Sequence, residues 1–406
     1  MLAEMRIVLR NAGKIDPNSI DDYIKAGGYQ ALEKARSMDA KELIDLVKKA
    51  NLRGRGGAGF NAGLKWSFVP QGGESFVVCN LDEGEPGTYK DRTIVQEDPH
   101  TLFEGMAICA HAIKSKQGYI YCRGEYPYVV DHLNRARDEA RAKGVLGDFD
   151  IEVRMGGGAY VCGEETALIE SIEGHRGEPR FKPPFPGVAG LWGKPTVVNN
   201  VETFANLPEI LVKGPEWFAG IGAANYPGTK VLTLTGDVVN RIAIEVPTNT
   251  TIRQVIYDFG GGIKNGKKFK AVQIGGTSGG FIPESLLDTP IDFDSMRNIG
   301  ATLGTGAVLV MDETRDIVDI VTRIAKFFEH ESCGKCNPCR EGTFRCYEIM
   351  RKINRGQATA SDIENISVLS RVMQKAALCG LGQAAPGPIV TTLQHFRHEY
   401  ERKLLS

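Results

Sequence analysis

Four cysteines near the C-terminus constrain this sequence more than any other feature. Cys333, Cys336 and Cys339 are separated by two residues each, and Cys379 stands alone before Gly-Leu-Gly. Three thiolates at this spacing can reach different irons of one cubane, and a remote fourth closes the site from another element. A structural zinc ion more often uses two separate pairs of ligands. The pattern therefore predicts a [4Fe-4S] cluster in preference to zinc.

The remaining five cysteines are predicted to be small buried side chains: Cys79, Cys109, Cys122, Cys162 and Cys346. The first four have apolar neighbours, and the fifth lies two helical turns beyond the ligand triplet. All nine thiols are expected to stay reduced, as in a cytoplasmic protein. Lys335 and Arg340 are expected to offset the negative charge of the cluster.

The length and the charge of the chain exclude several classes of protein. The 406 residues predict two to three domains with ordinary cores. The 49 basic and 50 acidic side chains nearly cancel, so there is no basic field for a nucleic acid. The longest apolar runs are far shorter than the roughly 20 residues of a membrane helix. Glu4, Arg6 and Arg10 stand where a signal peptide has its apolar core, and we expect a cytoplasmic protein without direct membrane insertion.

The first half of the chain has the pattern of an α/β domain. Helical patterns over residues 21–26, 29–37 and 40–50 form a cap, and the last of them runs into a glycine-rich stretch. Between residues 76 and 153, short apolar segments alternate with helical ones. This alternation predicts a layered structure with a mainly parallel sheet. We place this domain at residues 1–220.

Two further domains are predicted after the first. Residues 228–298 show a few strand patterns around one helical pattern, which suits a small α+β domain. Residues 299–406 show successive helical stripes and are predicted to form a bundle. Within the bundle, Ser361 and Glu364 are predicted to form a capping box, and Pro388 fits the first turn of a later helix.

Three glycine-rich loops are candidate ligand loops. Residues 54–59 match G-x-G-x-x-G, but a helix leads into them where the dinucleotide motif requires a strand, so the ordinary Rossmann interpretation fails. Successive glycine N–H groups can still cradle a phosphate, with Arg55 and Lys65 adding positive charge. Residues 156–158 do lie between a strand and a helix. Residues 275–280 fit a tight turn as well as a ligand loop.

Aromatic and acidic residues accompany these loops. The aromatic residues suggest a broad cofactor cleft: Phe60, Trp66, Phe68, Tyr160 and Phe185. Residues 80–87 carry three acids and follow a strand, the position at which α/β sheets present ligand groups. These acids could bond ribose hydroxyls and repel a 2′-phosphate, which favours NAD over NADP. A solvated acidic turn is the alternative.

With these segments assembled, the sequence closely resembles the family of NADH-oxidising flavoproteins that serve respiratory complex I, NAD-linked hydrogenases and formate dehydrogenases as subunits. The resemblance covers nearly the whole chain. It is carried by residues 53–60 (RGRGGAGF), 63–66 (GLKW), 80–92 (NLDEGEPGTYKDR), 157–168 (GGAYVCGEETAL), 182–186 (KPPFP), 198–203 (VNNVET) and 331–342 (ESCGKCNPCREG).

The resemblance implies an α/β FMN-binding domain, a small ubiquitin-like α+β domain and a C-terminal helical bundle carrying the iron-sulfur cluster, with FMN and NADH in one cleft. On the flavin side it implies Gly54, Arg55, Gly56, Gly57, Gly59, Lys65, Asn80, Asp82, Glu83, Gly163, Glu164, Asn199, Asn200 and Thr203. On the NADH side it implies Phe68, Glu85, Tyr160, Glu165, Lys182 and Phe185. The cluster ligands that it implies are Cys333, Cys336, Cys339 and Cys379.

The implied activity is that of an NADH dehydrogenase subunit. Hydride transfer between NADH and FMN needs two aligned rings and no catalytic side chain, which agrees with the lack of any Ser-His-Asp pattern. Electrons would then pass singly to the cluster and on to a thioredoxin-like [2Fe-2S] partner subunit. Residues 8–17 resemble the soluble hydrogenase and formate dehydrogenase branch more than complex I, which is the alternative. A flavin reductase with a structural cluster and a non-catalytic assembly subunit are the remaining hypotheses.

Overall fold

Three regions of different secondary structure follow one another along residues 4–405, the part of the chain that the computed structural model describes. The first region contains a parallel sheet flanked by helices, the second contains a mixed sheet, and the third is helical. No helix in the described part combines the length and the apolar character needed to traverse a bilayer.

The first sheet is entirely parallel, as predicted. Its strands are β1 (Phe76–Leu81), β2 (Gln117–Cys122), β3 (Asp150–Met155) and β4 (Thr196–Asn200), in the order β3-β2-β1-β4. The sequence predicted the first three strands but not β4, whose five residues end in two asparagines that strands disfavour. In the register of β1 and β4, Asn80 pairs with Asn200. The two polar motifs that follow these strands therefore start side by side at the carboxyl edge of the sheet.

Helices cover both faces of this sheet. They are α1 (Ile20–Lys25), α2 (Gln30–Arg36), α3 (Ala40–Lys49), α4 (Ala62–Ser67), α5 (Lys90–Glu97), α6 (Pro99–Ile113), α7 (Pro127–Ala142), α8 (Glu165–Ile172), α9 (Val201–Ala205), α10 (Leu207–Lys213) and α11 (Pro215–Ala219). The three predicted cap helices are confirmed to within one residue at each end. Ser19 and Asp39 begin α1 and α3 by accepting backbone N–H bonds, which satisfies donors that a helix start leaves free.

The second region is built around a five-stranded mixed sheet. A hairpin of β5 (Gly222–Ala223) and β6 (Tyr226–Pro227) leads into it. The sheet consists of β7 (Thr229–Gly236), β8 (Ala243–Pro247), β9 (Phe269–Ile274), β10 (Gly280–Ile282) and β11 (Ala307–Asp312), in the order β10-β9-β11-β7-β8. The predicted helix begins as α12 (Ile252–Gln254) and continues as a π-helical turn, Val255–Phe259; α13 (Phe293–Asn298) follows.

The second region ends later than the sequence suggested. β11 is the central strand of the sheet, parallel to β7 and antiparallel to β9. Its residues follow position 298, where the sequence placed the end of the small domain. A short apolar run such as this one fits a buried strand or a buried helix, and periodicity does not separate the two. We therefore place the boundary after β11.

The third region is helical, as the apolar stripes predicted. Its helices are α14 (Ile317–Glu331), α15 (Asn337–Asn354), α16 (Ala360–Ala376), α17 (Gly380–Ala384), α18 (Gly387–His395) and α19 (Arg397–Glu401). The predicted capping box at Ser361 and Glu364 is wrong, because the reciprocal pair is Thr359 with Asp362, two residues earlier. Both pairs have the same spacing, and only the true helix start separates them. Pro388 lies in the first turn of α18, as predicted.

Candidate functional site

The glycine loop at residues 54–59 packs against the carboxyl end of β4. The Arg55 N–H donates to Oγ1 of Thr203 at 2.9 Å. A Cβ at Gly56 would stand 3.0 Å from the Cβ of Asn200. Glycine therefore lets the loop backbone lie directly on the end of β4. The loop and the motif at residues 198–203 are in direct contact.

The Arg55 side chain lies in the contact between the first and second regions. It is fully buried, and it donates to the carbonyl oxygens of Pro227 and, at 3.0 Å, of Arg53. Its guanidinium carbon is 4.3 Å from the centroid of the Tyr226 ring, a cation–π distance. The sequence interpretation gave this charge to a phosphate. In the structure the guanidinium binds groups at the contact between the two regions. The groups that the loop can offer to a phosphate are therefore its backbone N–H groups.

Two lysines and two glutamates form an ionic group between α4 and α8. Lys65 Nζ donates to Glu165 Oε2 and to the carbonyl oxygen of Val198, both at 2.7 Å. Lys182 Nζ donates to Glu165 Oε1 at 3.0 Å and to Glu164 Oε1 at 2.8 Å. Burial raises the pKa of Glu165, but the two ammonium groups outweigh burial and bring the pKa to about 2. The Glu165 carboxylate is therefore ionised at neutral pH.

The loop after β1 holds a buried carboxyl group with an unfilled acceptor. Asn80, near the end of β1, donates through Nδ2 to the carbonyl oxygen of Gly163 at 2.8 Å. Asp82 Oδ2 is buried, and nothing in residues 4–405 hydrogen-bonds to it. Burial raises the pKa of Asp82 to about 7. A buried polar atom without a partner is uncommon in proteins. The Asp82 oxygen is such an atom, and it lies two residues after Asn80, which binds Gly163.

A buried network of charges supports this loop, and the sequence interpretation had named only Glu83 among its members. Glu83 accepts the N–H of Asp91 at 2.7 Å, and burial raises the pKa of Glu83 to about 8. Lys90 Nζ lies 2.6 Å from Asp91 and 2.9 Å from Glu202. Lys230 of β7 lies 2.6 Å from the same glutamate. The available signals were the adjacent opposite charges Lys90 and Asp91 in the first motif and the single acid Glu202 in the motif at residues 198–203.

The same network orients Asn200 at the end of β4, and Trp66 orients Asn199. Lys90 Nζ donates to Asn200 Oδ1 at 3.0 Å, and Asn200 Nδ2 donates to Asp91 Oδ2 at 2.8 Å. Asn199 accepts a hydrogen bond of 3.1 Å from the indole N–H of Trp66. Trp66 is fully buried, so it belongs to the core and not to the wall of a cleft.

Three aromatic side chains near these groups are exposed. Phe60, Phe68 and Phe185 expose 49%, 51% and 58% of their surface, and the rings of the first two lie 6.2 Å apart. The Cβ position of Gly187, two residues after the last of them, is 3.5 Å from the Cβ of Phe68. This contact brings the segment at residues 182–186 next to α4. Clustered exposed aromatic rings are typical of a binding surface.

The four predicted ligand cysteines line one cavity in the third region. Cys333 lies between α14 and α15, Cys336 directly precedes α15, Cys339 is in its first turn, and Cys379 directly precedes α17. All four line the same small cavity, together with Val161 of the first region. The four thiols are thus brought together in one cavity, and their role as ligands of a metal group stays a prediction.

The spacing of the sulfurs distinguishes between the two metal groups that the sequence allowed. Four thiolates on one zinc ion lie roughly 3.8 Å apart, given zinc–sulfur bonds of about 2.3 Å. Among residues 4–405, the groups of three potential ligands within 4.8 Å of one another do not include any of these cysteines. No three of these sulfurs are therefore as close together as the ligands of one zinc ion. The trio that does meet that distance is Glu170, Glu173 and His175, and Arg180 already pairs with both glutamates.

The other thiols and the basic residues of this loop have structural contacts. Cys346 is buried with its Sγ 3.9 Å from Sδ of Met373, and burial raises the pKa of its thiol to about 12. The four scattered cysteines are likewise buried, as predicted. Lys335 Nζ donates to the carbonyl oxygen of Pro179 at 2.8 Å, and Arg340 donates to a carbonyl oxygen within the cysteine loop at 2.7 Å.

One short segment separates the cleft from the cysteine cavity. It is the 3₁₀ turn Tyr160–Gly163. Val161 lines the cavity, whereas the carbonyl oxygen of Gly163 accepts the bond from Asn80. Tyr160 donates through its hydroxyl to Glu85 at 2.6 Å. The two candidate sites therefore share a wall that is a single turn thick.

Two known families match the parts of the chain that contain the cleft and the cysteine cavity. Residues 47–209 match the family described as the Nuo51 FMN-binding domain, and residues 319–403 match the NADH-ubiquinone oxidoreductase-F iron-sulfur binding region.

Two relatives are similar over almost the whole chain. The NADP-reducing hydrogenase subunit HndC of Solidesulfovibrio fructosivorans is 48% identical, with 98% of this chain and 83% of the relative covered. A subunit of the NADH-quinone oxidoreductase of Aquifex aeolicus is also 48% identical, with 98% and 94% covered. Among solved structures, the NAD⁺-reducing [NiFe]-hydrogenase in the H₂-reduced state aligns with a TM-score of 0.87 at 38% identity. That alignment covers 93% of this chain, which spans only 65% of the hydrogenase chain.

Proposed function

Because this chain belongs to the family of NADH-oxidising FMN and iron–sulfur subunits of complex I and NAD-linked hydrogenases, we propose that its cleft and its cysteine cavity work as one electron-transfer unit. The observation that carries this proposal is the shared wall, Tyr160–Gly163, between the two sites. When bound, FMN accepts a hydride from NADH and releases its electrons one at a time to the [4Fe-4S] cluster.

The residues present fit a flavin nucleotide at the carboxyl edge of the first sheet. The loop at residues 54–59 offers backbone N–H groups, and Asp82 offers a buried carboxyl oxygen without a partner. The residues proposed to hold FMN are Gly54, Arg55 through its backbone, Gly56, Gly57, Gly59, Lys65, Asn80, Asp82, Glu83, Gly163, Glu164, Asn199, Asn200 and Thr203. Asp82, with a pKa of about 7, and Glu83, with a pKa of about 8, are the two carboxyl groups of this set that can hold or release a proton near neutral pH.

The residues that we assign to the NADH side of the cleft include exposed aromatic rings and an ionised carboxylate. Phe68 and Phe185 expose their rings and can stack on an adenine or exclude water from it. Glu165 is held ionised by Lys182 and Lys65, so it can accept hydrogen bonds from ribose hydroxyls and disfavours an additional phosphate there. We assign Phe68, Glu85, Tyr160, Glu165, Lys182 and Phe185 to NADH. The protein's task is to orient the two rings, because hydride transfer requires no protein nucleophile.

The domain layout and the cellular setting belong to the same proposal. We infer an FMN-binding domain at residues 1–220, a ubiquitin-like domain from residue 228 to the end of β11, and a cluster-binding bundle after it.

Nine free thiols support a cytoplasmic location. Electrons are proposed to leave through a thioredoxin-like [2Fe-2S] subunit of a soluble hydrogenase or formate dehydrogenase. Equal identity to a hydrogenase subunit and to a complex I subunit keeps complex I as the second candidate.

Purification of the native assembly through a tag on this chain tests the parent complex. We expect a small [2Fe-2S] subunit and a hydrogenase or formate dehydrogenase catalytic subunit to co-purify, identified by mass spectrometry. Membrane-arm subunits of a quinone reductase in the same preparation would instead establish the complex I alternative. A tagged chain that carries Cys339→Ala serves as a control for contacts that depend on an assembled cluster.

A further inference from the structure

The carboxylate of Glu85 is held by donors from the first and the second region of the chain. The Tyr160 hydroxyl donates to Oε2 at 2.6 Å, and the N–H of Ser278 donates to Oε1 at 3.2 Å. Burial raises the pKa of Glu85, and the Tyr160 hydroxyl and the backbone N–H groups of Ser278 and Thr277 oppose that shift. Both carboxylate oxygens therefore have partners that the loop after β1 does not supply.

The donors from the second region come from the third glycine-rich loop, residues 275–280. Gly276 has a φ of 101°, and a Cβ at this position would lie 2.2 Å from Cγ of Glu85. The loop is braced from within, because Gln273 Nε2 donates to the carbonyl oxygens of Thr277 and Gly279 at 3.0 and 3.2 Å. Glycine at 276 is thus required both for the turn and for the close approach of the glutamate.

The third region fixes the tyrosine. The Tyr160 N–H donates to Glu331 Oε2 at 3.0 Å, and the Tyr160 ring packs edge-on against Phe327 at 5.2 Å and Phe328 at 6.2 Å. Glu331 is two residues before Cys333. The hydroxyl that binds Glu85 is therefore oriented by the helix that leads into the cysteine loop.

We propose that the glycine turn at residues 275–280 positions Glu85 for the nicotinamide nucleotide. This inference rests on the proposed assignment of Glu85 to the NADH side of the cleft. A glutamate in a loop samples several rotamers, and ordering them at the moment of binding costs affinity. The N–H of Ser278, together with the Tyr160 hydroxyl, holds the carboxylate in one place before the nucleotide arrives. The second region then contributes to the nucleotide site, and Gly276 and Ser278 are positioning residues.

Substitution of Gly276 by alanine, in the full chain loaded with FMN and iron, tests this proposal. The added Cβ displaces Glu85, so we expect the Kd of the non-reducing analogue tetrahydro-NADH, measured by calorimetry, to rise about tenfold. The KM for NADH should rise in parallel with little change in kcat, and FMN and iron contents should stay at wild-type levels. Gly266→Ala is the matched control, because Gly266 has a φ of 66° in the same region with nothing within 4 Å of its Cβ position.

A double-variant cycle separates positioning from a general structural effect. Glu85→Ala alone should weaken analogue binding, and adding Gly276→Ala to it should cause no further loss. Additive losses, or a Gly276→Ala variant with wild-type affinity, would overturn the positioning role while leaving the assignment of Glu85 intact. Wild-type affinity in Glu85→Ala would overturn that assignment, and with it this inference. If Gly276→Ala does not fold, the hydrogen-exchange rates of the Ser278 and Thr277 amides in the wild-type protein test the proposal instead. Slower exchange when the analogue binds supports the proposal, and an unchanged rate refutes it.

Discussion

Replacing Cys379 with alanine is expected to lower the bound iron of the reconstituted chain from about four atoms to almost none. The three cysteines of the triplet remain, but they leave one corner of the cluster without a protein ligand. FMN should still bind, because its proposed residues lie across the Tyr160–Gly163 wall from the cysteine cavity. Iron and flavin analysis of the same sample measures both effects, and NADH should still bleach the flavin.

Cys346→Ala is the matched control for this prediction. Cys346 is in the same helix as Cys339, but it is buried against Met373 and does not line the cysteine cavity. Its removal should cost some stability through a small cavity and should leave the iron content unchanged. Equal loss of iron in both variants, or full iron in Cys379→Ala, would contradict the assignment of ligands.

Replacing Glu202 with alanine is expected to lower the free energy of unfolding by about 3–5 kcal/mol. Glu202 is fully buried and lies within 2.9 Å of Lys90 and 2.6 Å of Lys230. Without its carboxylate, two buried ammonium groups lose their shared counter-charge. Affinity for FMN should also fall, because Lys90 orients Asn200. Urea denaturation and flavin fluorescence measure the two effects.

Two comparisons make this prediction specific. Glu216→Ala removes a carboxylate whose pair with Lys49 is largely exposed, and it should change stability by less than about 0.5 kcal/mol. Lys90 keeps its ion pair with Asp91, so adding Lys230→Met to Glu202→Ala removes the ammonium group that has lost its carboxylate partner and should recover part of the loss. A Glu202→Ala variant as stable as Glu216→Ala would show that the network does not carry the proposed energy.

The sequence predicted well those parts of the site that depend on local spacing. The cysteine triplet and its distant partner were proposed as ligands because ligand spacing around a metal group is a covalent constraint, and all four line one cavity. Cys346 was separated from the ligands by its place on the helix, and it is buried as predicted. The first three strands and the cap helices were found because their apolar periodicity matches their burial.

What the sequence did not predict depends on contacts between distant segments. The Arg55 guanidinium binds Pro227, more than 150 positions away, so its neighbours in sequence gave no sign that it is buried. Lys230 and Lys90 share Glu202 across two regions for the same reason. β11 was placed outside its sheet because an apolar run does not specify its partner strands. The third glycine loop was ambiguous until its approach to Glu85 gave the reason for glycine at 276.

An anaerobic NADH titration of the reconstituted chain, followed by flavin absorbance and by EPR, tests the central claim most directly. If the cleft and the cysteine cavity form one electron-transfer unit, NADH bleaches the flavin, and the EPR signal of a reduced [4Fe-4S] cluster grows with it. Iron analysis of the same sample establishes that the cluster is present. Bleached flavin with a full complement of iron and no cluster signal would contradict the account, as would a flavin that NADH does not reduce.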